Sequence, residues 1–280
     1  MKKICYLLPL FLVSLLQAQV KVPQPSPTSQ IKQTVGLTEV VINYSRPSMR
    51  GRTIMGGLVP FDEMWRTGAN KNTTFQFSDP VQVEDKTLAA GTYALFTRPG
   101  KDTWTLYFYT DTENWGIPQQ WDDQKVATTI TLPVKYEAEA LETFTISVDH
   151  LTNDGATITL AWEKVILPIA LVVPAKEKAM QSIVKTLDNN PKAGDYYNAA
   201  SYYFSEKMDM QQAQKWITQA VQMEDDKYWM FRLQAKVFAA LNQKEAAIKA
   251  AKRSLQLAEK AGNPDYVRMN KADIETWKNN

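Results

Sequence analysis

Seven short runs of alternating apolar and polar residues occupy the chain between residues 38 and 162. They cover residues 38–44, 73–77, 93–97, 103–109, 127–132, 144–148 and 156–162. Turn-forming pairs such as Pro99-Gly100 and Asp154-Gly155 separate most of the runs, and no helical periodicity interrupts them. Many short strands joined by turns are typical of an antiparallel β-sandwich or barrel, which we therefore predict for this region.

The apolar spacing changes after Pro168 and Pro174. From Ala175 onward, apolar residues recur at every third or fourth position and glycine is nearly absent, which predicts helices. A second level of order is a repeat with a spacing of 34 residues. It pairs Tyr197 with Phe231, Ser201 with Ala235, Phe204 with Phe238, Ala213 with Ala247 and Ala220 with Ser254.

This repeat resembles the tetratricopeptide pattern, in which small residues at helix crossings alternate with aromatic residues one turn away. It covers about two repeats and lacks the usual proline after the second helix. Flanking helices near residues 176–188 and 265–277 would then cover the two ends of the array. The alternative is a plain helical bundle with coincidental spacing, and either arrangement predicts helical hairpins.

The first 18 residues have the three parts of a secretory signal. Lys2 and Lys3 precede an apolar run over residues 4–16, and Ala18 supplies a small residue at a cleavage point. The run is shorter than the roughly 20 apolar residues that span a bilayer, although a retained membrane anchor is the alternative. We therefore expect export to the periplasm or the extracellular space, with no integral membrane span in the mature chain.

These patterns divide the chain into four segments. Residues 1–18 form the predicted signal peptide, and residues 19–29, which contain three prolines, form an extended leader. Residues 30–173 form the β domain, and residues 174–280 form the helical domain. The predicted class is therefore a two-domain protein, β followed by α.

Composition excludes several classes of chemistry. The only cysteine, Cys5, lies in the signal peptide, so the mature chain has no disulfide and no thiol ligand or nucleophile. Without Lys2 and Lys3 the 32 basic side chains fall to 30, equal to the 30 acidic ones, and nucleic-acid binding is not expected. With a single histidine, His150, the sequence predicts no metal site and no cofactor.

Three blocks of the β region resemble a known family. They are residues 41–52 (VINYSRPSMRGR), 59–74 (VPFDEMWRTGANKNTT) and 89–100 (AAGTYALFTRPG). These blocks are similar to the signatures of domain-of-unknown-function family 2911, which is known from exported bacterial proteins. The resemblance covers roughly residues 26–165 and implies an exported β domain, and it brings no activity or residue role with it.

An arginine cluster is the main candidate for a site. Four arginines fall within 21 residues, in segments rich in glycine and proline. Guanidinium groups suit two-point recognition of carboxylate or phosphate, and neighbouring residues could add hydrogen bonds and an aromatic wall. The candidate ligand-binding residues are Arg46, Arg50, Arg52, Trp65, Arg66, Thr67 and Asn70.

The alternative to a ligand site is a structural role for the same residues. Arg52 and Arg66 would then pair with Asp62, Glu63 or a backbone carbonyl and fix a long loop in place. Trp65 would plug the end of the sandwich, since buried loop backbone must find partners.

Other polar and aromatic groups are weaker candidates. Trp104, Trp115 and Trp121 could stack on sugar rings, although core or loop packing explains them equally well. Asp111, Glu113, Asp122 and Asp123 could supply oxygen ligands for calcium, but their spacing fits no calcium loop. His150 follows Asp149, and strand neighbours face opposite sides, so the pair does not predict acid–base chemistry.

The sequence contains no known catalytic signature, and three functions stay open. The first is a non-catalytic binding or scaffolding role in the cell envelope, with residues 174–280 contacting proteins or peptides. The second is binding of a small polar or anionic ligand, such as a glycan, a lipid headgroup or a metabolite, at the arginine-rich loops. The third is an envelope hydrolase.

Overall fold

A computed structural model of the protein describes residues 22–279. The described chain separates into two compact units, with the division between Pro174 and Ala175. The predicted signal peptide, residues 1–18, lies outside the described residues. Of the predicted leader, the structure describes residues 22–29.

Ten strands make up the part of the first unit that the structure describes. They are β1 (Thr28–Val35), β2 (Thr38–Ser45), β3 (Thr74–Phe77), β4 (Val81–Val83), β5 (Lys86–Leu88), β6 (Gly91–Pro99), β7 (Thr103–Tyr109), β8 (Val126–Pro133), β9 (Lys135–Asp149) and β10 (Gly155–Val172). A short 3-10 helix, Asp123–Lys125, precedes β8.

The strands form two open antiparallel sheets. The first has six strands in the order β1-β2-β3-β6-β7-β8, and the second has four in the order β5-β4-β10-β9. Their inner faces meet, because the Tyr44 ring of β2 lies 5.8 Å from the Phe144 ring of β9. The Tyr44 hydroxyl also accepts a hydrogen bond from the Ile146 N–H at 3.1 Å. The predicted β-sandwich is confirmed.

Each of the seven predicted runs corresponds to a strand, although Thr73 of the predicted run 73–77 precedes β3. Residues 103–109 match β7, whereas β9 and β10 extend well beyond the predicted runs 144–148 and 156–162. The sequence did not predict β1, which begins within the proposed leader at Thr28, nor the three-residue strands β4 and β5. β10 continues through Pro168 to Val172, so that proline does not end the sheet.

Aromatic side chains fill the space between the sheets. Five of the larger side chains there are almost completely buried, namely Trp162, Phe75, Phe77, Phe108 and Phe144. Phe96 and Tyr109 are equally buried, but they pack with Trp121 on the opposite face of the six-stranded sheet. Burial of one such ring contributes about 1.5–3 kcal/mol relative to its exposure. The described chain has no cysteine and therefore no disulfide, so packing of these aromatic side chains holds the two sheets together.

Six helices make up the described part of the second unit. They are α1 (Ala175–Leu187), α2 (Ala193–Ser205), α3 (Met210–Met223), α4 (Tyr228–Ala240), α5 (Lys244–Lys260) and α6 (Pro264–Asn279). Connections of three to five residues join consecutive helices from α1 to α6, and α2–α3 and α4–α5 are the most extensively packed pairs. The predicted helical hairpins are confirmed, and the two flanking helices correspond to α1 and α6.

Most equivalent positions of the 34-residue repeat have similar burial, although Ser201 is half-buried and its equivalent Ala235 is buried. Ala213 and Ala247 are both fully buried, as are Ala220 and Ser254. The Ser254 hydroxyl donates to the Tyr228 carbonyl at 2.7 Å and accepts from Asn270 Nδ2 at 2.8 Å. The repeat therefore reflects helix packing, while its assignment to the tetratricopeptide type stays a prediction.

Among residues 22–279, none of the helices combines the length and the apolar character that crossing a membrane requires.

We predict that Ala213→Leu destabilises the helical unit. The fully buried Ala213 lies where α3 packs on its neighbours, and extra methyl groups there cost about 1–3 kcal/mol. Urea unfolding followed by helical circular dichroism measures the change. Ala272→Leu is the control, because Ala272 is exposed on α6 and should change the free energy of unfolding by less than about 0.5 kcal/mol. Equal destabilisation by the two substitutions would contradict the packing described here.

Candidate functional site

A long segment between β2 and β3, residues 46–73, carries all the candidate site residues. Its central contact is Trp65. The Trp65 N–H donates to the Thr97 carbonyl at 2.7 Å, and the Thr97 N–H donates back at 2.9 Å, so the segment adds a short bridge to β6. The indole stacks on Trp162 of β10, with ring centroids 5.9 Å apart and planes 22° apart. Trp65 thus contacts both sheets, as expected for a residue that closes the end of the sandwich.

A tight turn follows Trp65. Thr67 and Asn70 adopt positive φ angles of 57° and 60°, and Gly68 has a φ of 140°. The Thr67 side chain is fully buried and its hydroxyl bonds to Thr97 Oγ1 at 3.0 Å, while its carbonyl accepts from the Thr73 hydroxyl. Thr67 therefore holds the turn against β6, and its buried side chain does not line the groove described below.

Two of the four arginines connect distant segments. Arg46 donates from Nε to the Phe144 carbonyl at 3.1 Å and from Nη2 to Thr145 Oγ1 at 2.7 Å. Arg50 donates from Nη2 to the Pro25 carbonyl at 2.9 Å. Both guanidinium groups fix the segment in place, and neither lines the groove described below.

The other two arginines are differently placed. Arg52 donates to the carbonyls of Met49 and Ser48, at 2.9 and 2.7 Å, within its own turn. Arg66 donates only from Nη1, to the Asn70 carbonyl at 2.9 Å, so Nε and Nη2 have no acceptor among residues 22–279.

A glycine covers the flat side of the Arg66 guanidinium. A Cβ atom placed on Gly116 would lie 3.0–3.1 Å from Cζ, Nη1 and Nη2 of Arg66, so the backbone at Gly116 lies directly over that plane. Only the edge of the guanidinium remains available for further hydrogen bonds. Gly116 also has a φ of 117°, which disfavours any larger residue.

None of the four guanidinium groups forms an ion pair with a carboxylate in the described part of the chain. The pairing of Arg52 and Arg66 with Asp62 or Glu63, one of the structural alternatives, does not occur. Backbone carbonyls take that role, which was the other alternative. Arg66 is partly buried, so its positive charge lacks both full hydration and a counterion.

A groove of about 370 Å³ opens beside Trp65. Four of the seven candidate residues line it, namely Arg52, Trp65, Arg66 and Asn70, together with Trp162 and the apolar residues Pro47, Leu58 and Val59. Two stacked indoles and a few convergent polar groups have the composition of a small-molecule site, which is mostly apolar with a small number of orienting polar groups.

The remaining aromatic candidates divide into packed and exposed residues. Trp104 is 2% exposed, as the core alternative predicts. Trp121 stacks on Tyr109 at 4.6 Å and donates from Nε1 to Asp123 Oδ1 at 2.9 Å. Trp115 differs from both, because 74% of its surface is exposed.

Two of the four acidic candidates form ion pairs. Asp111 accepts from Lys125 Nζ at 2.9 Å, and Glu113 from Lys71 Nζ at 3.0 Å. The lysine hydrogen bonds lower the pKa of both carboxyl groups, so they stay ionised at neutral pH. No cluster of three or more potential metal ligands occurs among the residues that the structure describes. His150 is exposed, in a turn with φ of 50°.

The fold and the groove define an open antiparallel β-sandwich with a basic, aromatic-lined cleft at one end. The family model "Protein of unknown function (DUF2911)" matches residues 26–171, and the chain belongs to this family. The resemblance of the three sequence blocks is thereby confirmed. No curated protein matches the chain, and no solved structure matches it.

We predict that Arg46→Ala destabilises the β unit while Arg52→Ala does not. Arg46 makes two charge-assisted hydrogen bonds to residues of β9 that lie about 100 positions later in the sequence. Loss of these two bonds should lower the free energy of unfolding by about 2–3 kcal/mol. Arg52 is exposed and bonds only within its own turn, so its replacement should change the free energy of unfolding by less than about 0.5 kcal/mol. Chemical denaturation followed by near-UV circular dichroism measures both. Equal stability of the two variants would contradict the different roles assigned to the two arginines.

Proposed function

We propose that the β unit is a binding module that takes a small organic anion in the groove beside Trp65 and Arg66. The observation that carries this proposal is the Arg66 guanidinium, which is partly buried, lacks a carboxylate partner among residues 22–279 and has an open edge in the groove. A charge withdrawn from water is costly unless it is paired, and a bound carboxylate or phosphate would supply the pair.

The lining of the groove indicates the rest of the ligand. Trp65 presents its indole to the groove, supported from behind by the almost completely buried Trp162, and Leu58 and Val59 add aliphatic surface. An anion with an attached ring or apolar group would bury this part against the Trp65 indole while its charged end meets Arg66. Asn70 and Arg52 can add hydrogen bonds at the rim.

Binding is favoured over hydrolysis at this groove. A glycosidase of the usual kind needs two carboxyl groups about 5–9.5 Å apart across the cleft. The described residues that line the groove include no aspartate and no glutamate. The hydrolase hypothesis therefore draws no support from this site.

Export is part of the same proposal. The charged start, the apolar run and the small residue at Ala18 favour a protein that acts in the periplasm or outside the cell. The absence of cysteine after residue 5 suits an oxidising compartment.

Arg66→Ala should weaken binding of an aromatic carboxylate such as benzoate by at least about tenfold, because a charge-assisted hydrogen bond contributes about 1.5–3 kcal/mol. Isothermal titration calorimetry measures the affinity, with inorganic phosphate as a second probe. Arg98→Ala is the matched control, since Arg98 is an exposed arginine that lies over Tyr107, outside the groove.

If Arg66→Ala and Trp65→Phe both bind benzoate and phosphate with unchanged affinity, the groove is not the binding site. Unfolding of Arg66→Ala would instead favour the structural role. Arg66→Lys then separates the structural role from the ligand-binding role, because it keeps the positive charge and loses the two-point hydrogen-bonding geometry.

A second function is favoured by the helical unit, which we propose contacts a protein or peptide. A groove of about 590 Å³ runs along α3 and is lined by a row of side-chain amides, including Gln211, Gln214, Gln219 and Gln222. Side-chain amides both donate and accept hydrogen bonds, as a peptide backbone requires. Helical repeats commonly present such extended surfaces to peptides.

Gln219→Lys combined with Gln222→Lys should abolish recovery of a partner that wild-type protein captures from envelope extracts. Two added positive charges and the loss of two amides would disrupt the α3 groove. The control places the same change on α5, as Gln256→Lys, because Gln256 is exposed and lies outside the groove. Equal recovery by the α3 and α5 variants would exclude the groove as the contact surface.

A further inference from the structure

A second groove, of about 530 Å³, crosses the outer face of the six-stranded sheet. Its floor is a row of three polar side chains on neighbouring strands. Gln30 of β1 pairs with Asn43 of β2, and Asn43 pairs with Thr74 of β3. Because adjacent strands lie about 4.8 Å apart, this row extends over about 10 Å.

The row faces outward because its sequence neighbours face the core. Ile42, Tyr44 and Phe75 are buried, so the alternation along each strand directs Asn43 and Thr74 to the opposite side. Gln30 Nε2 donates to Asn43 Oδ1 at 2.7 Å, which leaves further donors and acceptors of both amides available.

One wall of the groove contains a buried donor without a partner. Asn72 is 4% exposed and lines the groove, and its Nδ2 forms no hydrogen bond in the described structure. Buried donors are nearly always paired, and an orphan donor costs about 1–3 kcal/mol. The orientation of this amide follows from its other end, since Oδ1 accepts from the Gly116 N–H at 3.3 Å.

Asn72 also holds an exposed tryptophan in place. Its backbone N–H donates to the Asn114 carbonyl at 3.3 Å, so Asn72 bonds to the residues on both sides of Trp115. The Trp115 indole is 74% exposed, the most of any large apolar side chain in the described chain. Trp115 does not itself line the groove, but its backbone neighbours bond to Asn72 in the groove wall, so its exposed indole is suited to stacking on a ligand that extends beyond the groove.

The charges at this groove cancel. Lys71 and Glu113 both line it, and they form an ion pair at 3.0 Å. The other groups on its lining are hydroxyls and side-chain amides, which donate and accept in nearly equal numbers. Such a lining suits a neutral ligand with many hydroxyl groups better than an anion, which needs donors alone.

We propose that this groove is a saccharide-binding site, in which Gln30, Asn43 and Thr74 bond to ring hydroxyls, a small movement of the wall brings the buried Asn72 Nδ2 to a sugar oxygen, and Trp115, beside the groove, stacks on an apolar sugar face. The site is separate from the groove of Trp65 and Arg66, which has a different lining and takes a different class of ligand.

The test measures binding of neutral oligosaccharides to the full chain. Maltohexaose, cellohexaose and chitohexaose are titrated separately to about 5 mM by calorimetry, beside an uncharged Gly-Ser peptide of similar length. We expect at least one saccharide to bind and the peptide not to bind. Binding of no saccharide, or equal binding of the peptide, would overturn the proposal.

Variants locate the site. Trp115→Ala should weaken saccharide binding by at least about tenfold, and Thr74→Val, which removes one hydroxyl without a change of shape, by about three- to tenfold. Leu151→Ala is the control, because Leu151 is an exposed apolar residue in the turn between β9 and β10. Saccharide binding that Trp115→Ala and Thr74→Val both leave intact would place the ligand elsewhere and contradict the proposal.

Asn72→Asp separates the two roles of this side chain. The aspartate keeps Oδ1 for the Gly116 N–H and loses the Nδ2 donor, but its carboxylate at this buried position should also lower the free energy of unfolding. Affinity is therefore compared at a temperature at which the variant is folded, where it should fall about tenfold. Asn72→Ala loses both functions and should also loosen the loop. Full saccharide affinity in folded Asn72→Asp would show that the orphan donor does not serve the ligand.

Discussion

The contact of Trp65 with both sheets is the interaction on which the rest of the β unit depends. Its backbone pairs with Thr97 of β6, and its indole packs on Trp162 of β10 and on Phe144 of β9. Each aromatic contact contributes about 0.5–1.5 kcal/mol beyond area burial. Since the segment of residues 46–73 has no regular strand or helix of its own, this anchor decides where the neighbouring arginines lie.

The arginines divide into two roles because of what lies within their reach. Arg46 and Arg50 meet carbonyl groups of distant segments and are occupied by them. Arg66 follows Trp65 directly and is thereby held at the mouth of the groove, with Gly116 over one face and its edge open. One aromatic anchor thus both closes the sandwich and positions a cation beside an apolar cleft, so structural and binding roles are compatible within the same segment.

The sequence predicts the fold class well because burial imposes the period of each element. Apolar and polar residues alternate clearly in strands with one buried face, such as β7. In β1 one face is exposed and the other is only partly buried, so its apolar and polar positions differ too little to predict a strand. β4 and β5 are too short to show a period. The helical unit is visible because Ala213 and Ala247 recur at crossings that admit only small residues.

The site is only partly predictable, for a different reason. The sequence predicts the arginine cluster because the four arginines are close along the chain. It does not predict the partners of Arg46 and Arg50, which lie on distant segments that become neighbours only in the folded protein. The polar row of Gln30, Asn43 and Thr74 depends on strand order and register, which a single sequence does not reveal. The polarity of Thr67 predicts a hydroxyl that is open to a ligand, yet its positive φ and its bond to Thr97 direct the side chain inward.

The central claim is that the open edge of Arg66, beside the Trp65 indole, receives an anion. Heteronuclear NMR of the Arg66 Nε–H and the Trp65 indole N–H during titration with benzoate tests it most directly. If the anion binds there, both signals shift together and saturate at one dissociation constant. The signal of the Arg46 Nε–H, which already donates to the Phe144 carbonyl, keeps its chemical shift. Stationary Arg66 and Trp65 signals throughout the titration would contradict the account.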